Sequence, residues 1–241
     1  MDHDNPESRS KLFGSDGAER ILASASATTR SRTSRRLGWQ AFVVVVSAGT
    51  ILGCMRVLPG TDPRQHLSIA LGFASLALLV ATMVLGPFNV LRGRPNPVSF
   101  DLRRDTGIWA AILGLAHTAV GLTVHMRGRM QLYFLAPPDH PSPLLIRLDP
   151  FGLANHAGLV AAALLLGLLA LSSDRALRAL GTARWKRLQR ATYFLALLTL
   201  AHGIGYQALE KRPLRVMAAL VLLSGAGTLL QWLGWRRVRR A

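Results

Sequence analysis

The sequence predicts an all-α polytopic membrane protein, a bundle of six transmembrane helices with both termini cytoplasmic. Three observations carry this prediction. Half of the 241 residues are hydrophobic and only 17% are charged. The formal net charge is nevertheless +17, with Lys+Arg 29 against Asp+Glu 12. Finally, the basic residues sit in short clusters between long apolar runs, the pattern of a multi-span protein whose charges orient its spans. A nucleic-acid binder of this charge would interleave Lys and Arg with polar structure, so nucleic acid is excluded and the lipid bilayer is the expected partner. The single cysteine, Cys54, lies in an apolar run and excludes a disulfide scaffold. So much apolar sequence also excludes a mostly disordered chain.

Residues 1–36 are polar and Ser-rich, without helical periodicity, and read as a disordered basic N-terminal tail that ends in RSRTSRR. A signal peptide would need an apolar core near the start, and the first apolar run begins only after Leu37. Residues 37–241 read as the transmembrane domain. A crossing helix needs ~20 mainly apolar residues. Six stretches qualify: 38–58, 66–87, 106–126, 153–172, 189–209 and 214–235. Apolar runs of this length exclude a barrel, whose strands alternate over ~10 residues.

The charges orient these spans. Four arginines precede the first, Arg92, Arg94, Arg103 and Arg104 follow the second, six basic residues from Arg175 to Arg190 follow the fourth, and four arginines end the chain. These eighteen fall on one side, against eight on the other, which places both termini in the cytoplasm. In a bacterial cell this is a multi-pass protein of the inner membrane. The longest outer loop, about 127–152, contains LAPPDHPSPLL, whose prolines predict a turn-rich cap or docking loop.

An ionisable residue inside a span is costly and is a functional candidate. His117 and His202 are the two histidines well within spans. His117 stands thirteen residues beyond Arg104, and His202 thirteen beyond Gln189, each roughly 20 Å up a helix that runs outward. Two histidines at matching depth on co-directional helices are what axial ligation of one haem iron requires. A pair of polar side chains hydrogen-bonded across the bundle fits the same spacing. Gly114 and Gly121 share a face with His117, and Gly205 lies one turn from His202. Such small residues let a flat macrocycle approach the backbone, and equally let helices pack closely. His125 lies two turns beyond His117, at an outer site, at a haem propionate or, the favoured reading, simply at the interface. His156, at the start of span four, is open to a packing or quinone-contact role. His3 and His140 carry no claim. Trp39, Trp232 and Trp235 read as interfacial belt residues.

Two segments resemble a known family. LRRDTGIWAAILGLAHTAVGL is similar to the third span of ferric-reductase-like transmembrane domains, where Arg-Arg, Gly and an aromatic lead to a buried His. WKRLQRATYFLALLTLAHGIGY resembles their W-x-x-L-H-x-x-x-Y…H-Y segment. The similarity covers roughly 66–210 and is strongest to the MsrQ/YedZ type, the haem-bearing membrane subunit that supplies electrons to a periplasmic methionine sulfoxide reductase. It implies one haem b with His117 and His202 at the iron-ligand positions. The sequence departs from the pattern at Gln189, where many members have a second His on the same helix, and at His-Gly in place of His-Tyr.

No glycine-rich nucleotide-binding turn is present, and the cytoplasmic segments are too short for a flavin or nicotinamide domain. An oxidoreductase component of this kind takes its electrons from quinol in the bilayer or from a cytoplasmic flavoprotein, and passes them to a periplasmic redox enzyme. Two other functions remain open: a membrane ferric or cupric reductase using His140, Asp139 or His125, and a non-redox transporter of a small solute or metal. Transporters often carry inverted repeats, and the sequence shows no convincing one.

Overall fold

The computed structural model describes residues 15–58, 62–93, 100–136 and 145–240. The chain divides into two units, Met1–Val44 and Val45–Ala241. The first holds most of helix α1 (Ser15–Val57). This helix begins inside the segment read as a tail. Its run GAERILASASATTR has four alanines and two arginines and is free of proline, which allows helix whatever the hydrophobic periodicity. Residues 1–14 of that segment lie outside the described residues, as do His3, Asp139 and His140.

The second unit holds the end of α1 and six more helices: α2 (Pro63–Leu91), α3 (Phe100–Val124), α4 (Pro150–Leu171), α5 (Asp174–Gln189), α6 (Ala191–Leu209) and α7 (Leu214–Arg240). The six apolar stretches correspond to α1–α4, α6 and α7. The arginine-rich stretch after span four, read from sequence as a loop, is α5. Ser173 caps its start by accepting from Ala176 N at 3.1 Å, and Gly181, at φ +69°, breaks it in the middle. Trp185 donates to Leu171 O, tying α5 back to the end of α4.

Among the described residues five helices, α1–α4 and α7, are long and apolar enough to cross a membrane. Their length and composition are those of a multi-pass membrane helix bundle. The helix α6 falls short by composition because it carries Thr199, His202, Tyr206 and Gln207. Large apolar residues such as Leu159, Leu166, Phe194, Leu197 and Leu222 are exposed, as expected where the surrounding solvent is hydrocarbon.

Helices α2, α3, α4, α6 and α7 pack in that cyclic order and close a ring, with α5 outside against α4 and α6. Small residues set the approach of α2 and α3. A β-carbon added at Gly107, Gly114 or Gly121 would meet Thr82, Ser75 and Ser68 at 3.5, 2.9 and 3.2 Å. Both series repeat every seven residues and run in opposite directions, so α2 and α3 are antiparallel. Ser75 Oγ adds a bond across the seam to Ala110 O at 2.8 Å. Gly227 and Gly234 of α7 face Val80 and Pro87 of α2 in the same order, so these two helices are parallel. The short turn at 210–213 makes α6 antiparallel to α7. It follows that α3 and α6 run the same way, as the histidine argument requires.

The loop between α3 and α4 begins with two 3₁₀ turns, Met126–Gly128 and Met130–Tyr133, and closes with an antiparallel bridge between Leu135 and Ile146. Its central prolines, at 137–144, lie outside the described residues. Tyr133, 1% exposed, fastens it: its hydroxyl donates to Gly121 O at 3.0 Å and accepts from His125 N at 2.8 Å. Arg147 donates to Leu132 O and to the Asp149 carboxylate. Asp149 in turn caps α4, accepting from Gly152 N at 2.7 Å.

Two outcomes test this junction. A β-carbon at Gly152 would collide with the Arg147 carbonyl, which is backbone and cannot swing aside. Gly152→Ala should therefore lower stability by about 1–3 kcal/mol in detergent thermal unfolding. The Arg147 hydrogen bond holds the Asp149 carboxyl below its usual 3.8. A carboxyl lowered in the folded state stabilises above its unfolded value, and that contribution is lost as pH falls through the lowered one. Asp149→Ala should cost about 1 kcal/mol at neutral pH. Its difference from the wild type should shrink below pH 3.8, as followed by melts across that range.

Candidate functional site

The ring of helices encloses a cavity of about 190 Å³, and His117 of α3 and His202 of α6 both line it. Their ring centres are 6.0 Å apart and their planes are nearly perpendicular, at 78°. Each ring is held the same way. His117 Nδ1 lies 2.7 Å from Ser68 O of α2, and His202 Nδ1 lies 2.8 Å from Ala154 O of α4. A carbonyl oxygen can only accept, so both Nδ1 atoms carry the proton and both Nε2 atoms carry the lone pair.

The carbonyls are reachable for a local reason. In an α-helix the carbonyl of residue i already binds the N–H of residue i+4, and the side chain at i+4 covers its flank. The residue four after Ser68 is Gly72, and the residue four after Ala154 is Gly158. A β-carbon at Gly72 would lie 3.1 Å from His117 Nδ1 and 3.2 Å from its Cε1. At Gly158 the same atoms of His202 would be 2.7 and 2.8 Å away. The arrangement thus occurs twice, with separations of 49 and 48 residues between carbonyl and histidine. Sequence reasoning missed both glycines. The signal that could have found them is this repeated spacing, S-x-x-x-G then His and A-x-x-x-G then His.

Of the other predicted residues, Gly114 and Gly121 line the cavity while facing Ser75 and Ser68. Gly205 instead faces Ala154, where an added β-carbon would lie 3.1 Å from the alanine methyl, and does not reach the cavity wall. His125 stands at the end of the cavity nearest the α6–α7 turn, with its side chain 26% exposed. There its Nε2 is 3.4 Å from Glu210 Oε1. It also stacks on Tyr206, at 6.3 Å and 26°. His156 lies against Phe134 at 5.7 Å, outside the cavity, with a buried Nε2 that has no hydrogen-bond partner among the described residues.

Four residues that sequence reasoning did not single out complete the wall. Tyr206 packs 5.0 Å from His202 and donates to Asn155 Oδ1 at 2.7 Å. Gln207 is 7% exposed, and its amide oxygen has no partner among the described residues. Arg212 lines the cavity from the α6–α7 turn, and burial pulls its pKa below the usual arginine value, against the pull of nearby Glu210.

A family model described as "Ferric reductase like transmembrane component" matches residues 71–200, more than half of the chain. The chain belongs to the ferric reductase-like transmembrane family. The matched stretch includes His117 and ends two residues before His202. Curated relatives within this family cover more of the chain. The "Protein-methionine-sulfoxide reductase heme-binding subunit MsrQ" of Xanthomonas axonopodis pv. citri (strain 306) is 30% identical over 200 residues, 83% of this chain and 78% of the relative. The protein of the same name from Azospira oryzae is 30% identical over 75% of this chain and 69% of its own length. That from Xanthomonas oryzae pv. oryzae is 28% identical over 83% and 78%.

The contact between glycine and imidazole is testable without any bound group. Gly158→Ala should lower stability by about 1–3 kcal/mol, and more than Gly72→Ala, whose clash is milder. Adding His202→Ala to Gly158→Ala should cost less than the two single losses combined, because the colliding ring is gone. Thermal unfolding of the four proteins gives the comparison.

Proposed function

We propose that this chain is a membrane electron-transfer subunit that holds one b-type haem between His117 and His202. The observation that carries the reading is the paired imidazole geometry. A ligating imidazole nitrogen sits about 2 Å from its metal, with the ring centre about 1 Å behind, so two rings on opposite sides of one ion have centres about 6 Å apart. The centres here are 6.0 Å apart. The Nδ1–carbonyl bonds support the same reading, since ligating histidines characteristically donate their other N–H to such an acceptor. So does the donor set. Among the described residues no three of His, Cys, Asp and Glu gather as a metal cage, whereas a macrocycle brings its own equatorial nitrogens. The relatives are named as heme-binding subunits.

The bound group would supply a one-electron iron couple. The residues do the rest. Ser68 O and Ala154 O fix the tautomer and direction of the two ligands, Gly72 and Gly158 give the rings room, and the apolar wall excludes water. All six long helices cross the inner membrane with both termini cytoplasmic, and α6 crosses by virtue of its packing. Electrons come from quinol or a cytoplasmic flavoprotein and leave for a periplasmic acceptor. The relatives' names support a methionine sulfoxide reductase as that acceptor. A reductase acting directly on ferric or cupric ions gains no support from His125, which is engaged with Glu210 and Tyr206.

The dithionite-reduced protein should show a b-type spectrum, with one haem per chain. His117→Ala and His202→Ala should each abolish it, and two unchanged spectra would sink the assignment. Gln189→Ala should leave both spectrum and stoichiometry as they were.

A further inference from the structure

The turn between α6 and α7 places a cation at the cavity, and no anion among the described residues is fixed against it. Arg212 follows Glu210 and Lys211, and its backbone N–H donates to Gln207 O at 3.1 Å. Lys211 is in the left-handed region at φ +46°, and Pro213 follows Arg212, so the backbone on either side is restrained. The guanidinium lines the same cavity as the two histidines. Among the described residues it has no hydrogen bond and no carboxylate oxygen within ion-pair distance.

The nearest candidate, Glu210, is already engaged. Its Oε1 is 3.4 Å from His125 Nε2, and its Oε2 accepts from Gln65 Nε2 at 3.3 Å. A half-buried arginine that faces an apolar cavity and has no partner among the described residues is a recognition group for a carboxylate, which offers it a bidentate acceptor. The distance suits an edge group of the ligand. Seven residues of helix separate His202 from Leu209, a rise of roughly 10 Å, comparable to the reach of a haem propionate from its iron.

We propose that Arg212 binds a carboxylate of the porphyrin held by His117 and His202, and so fixes which edge of the macrocycle faces the α6–α7 turn. The proposal rests on the haem reading given above. It makes Arg212 a binding residue and assigns His125 a different task, holding Glu210 away from the incoming carboxylate.

The test compares two porphyrins in protein prepared from haem-deficient cells: haem b itself and its dimethyl ester, which has the same ring and iron but no charged carboxylates. A charge-assisted hydrogen bond of this kind corresponds to roughly ten- to a hundredfold in affinity. The wild-type chain should prefer haem b over the ester by about that factor. Arg212→Leu should bind haem b about as weakly as the wild type binds the ester, with the preference lost. Arg212→Gln, which conserves polarity and length within the turn, should lose it as well, while Arg212→Lys should retain part of it. A preference of wild-type size in either neutral variant overturns the proposal. The haem reading fails separately: in that case neither porphyrin gives the wild-type chain a spectrum that depends on His117 and His202.

Discussion

Two buried imidazoles, each giving its Nδ1 proton to a main-chain carbonyl of the facing helix, are the constraint on which the rest of the bundle depends. A ring can reach such a carbonyl only where no side chain covers it, which demands glycine at 72 and 158. Reaching it also demands that α3 lie close along α2, and α6 along α4. The seam of Gly107, Gly114 and Gly121 against Thr82, Ser75 and Ser68 meets the first demand. The contact of Gly205 with Ala154 meets the second. The glycines that sequence reasoning set beside the histidines thus act one step removed, by drawing together the helices that aim the rings.

The site is therefore built twice. Helices α2 and α3 form one half, α4 and α6 the other, each with a small-x-x-x-Gly helix before the histidine helix. The two halves differ in their connections: residues 92–99 join the first pair, whereas α5 intervenes in the second. A search for inverted repeats misses this relation, because α2 and α4 run in the same direction. The duplication leaves the two rings in matching orientations, each presenting Nδ1 and Cε1 to its glycine.

Much of the fold was legible because bilayer helices announce themselves by long apolar runs. All six such stretches are helices, within a few residues at most ends. Two regions were not legible. Residues 15–36 lack amphipathic periodicity, yet their composition allows helix, and α5 is too basic to be read as anything but a charged loop. The histidine pair was legible because helical rise converts sequence distance into depth. Its supports were not: Ser68 and Ala154 contribute main-chain atoms, which no residue type advertises, and Gly72 and Gly158 act by having no side chain. Arg212 was counted only as an outer-side charge, since hydropathy cannot distinguish a cation facing solvent from one turned into a cavity.

The composition of α6 bears on how the protein is made. His202, Tyr206 and Gln207, together with Thr199, keep this helix from containing an unbroken apolar stretch of the kind that the five candidate spans have. Thr199 bonds back to Leu195 O of its own helix, but His202 and Tyr206 find their partners on α4, at Ala154 O and Asn155. A nascent chain emerging in order offers α4 first and α7 last. In a chain inserted in that order, α6 would meet α4 already in place. Biogenesis of the second half-site thus couples translocation to tertiary packing, whereas the first half-site, with α2 and α3 each apolar enough alone, can assemble after both helices are in place.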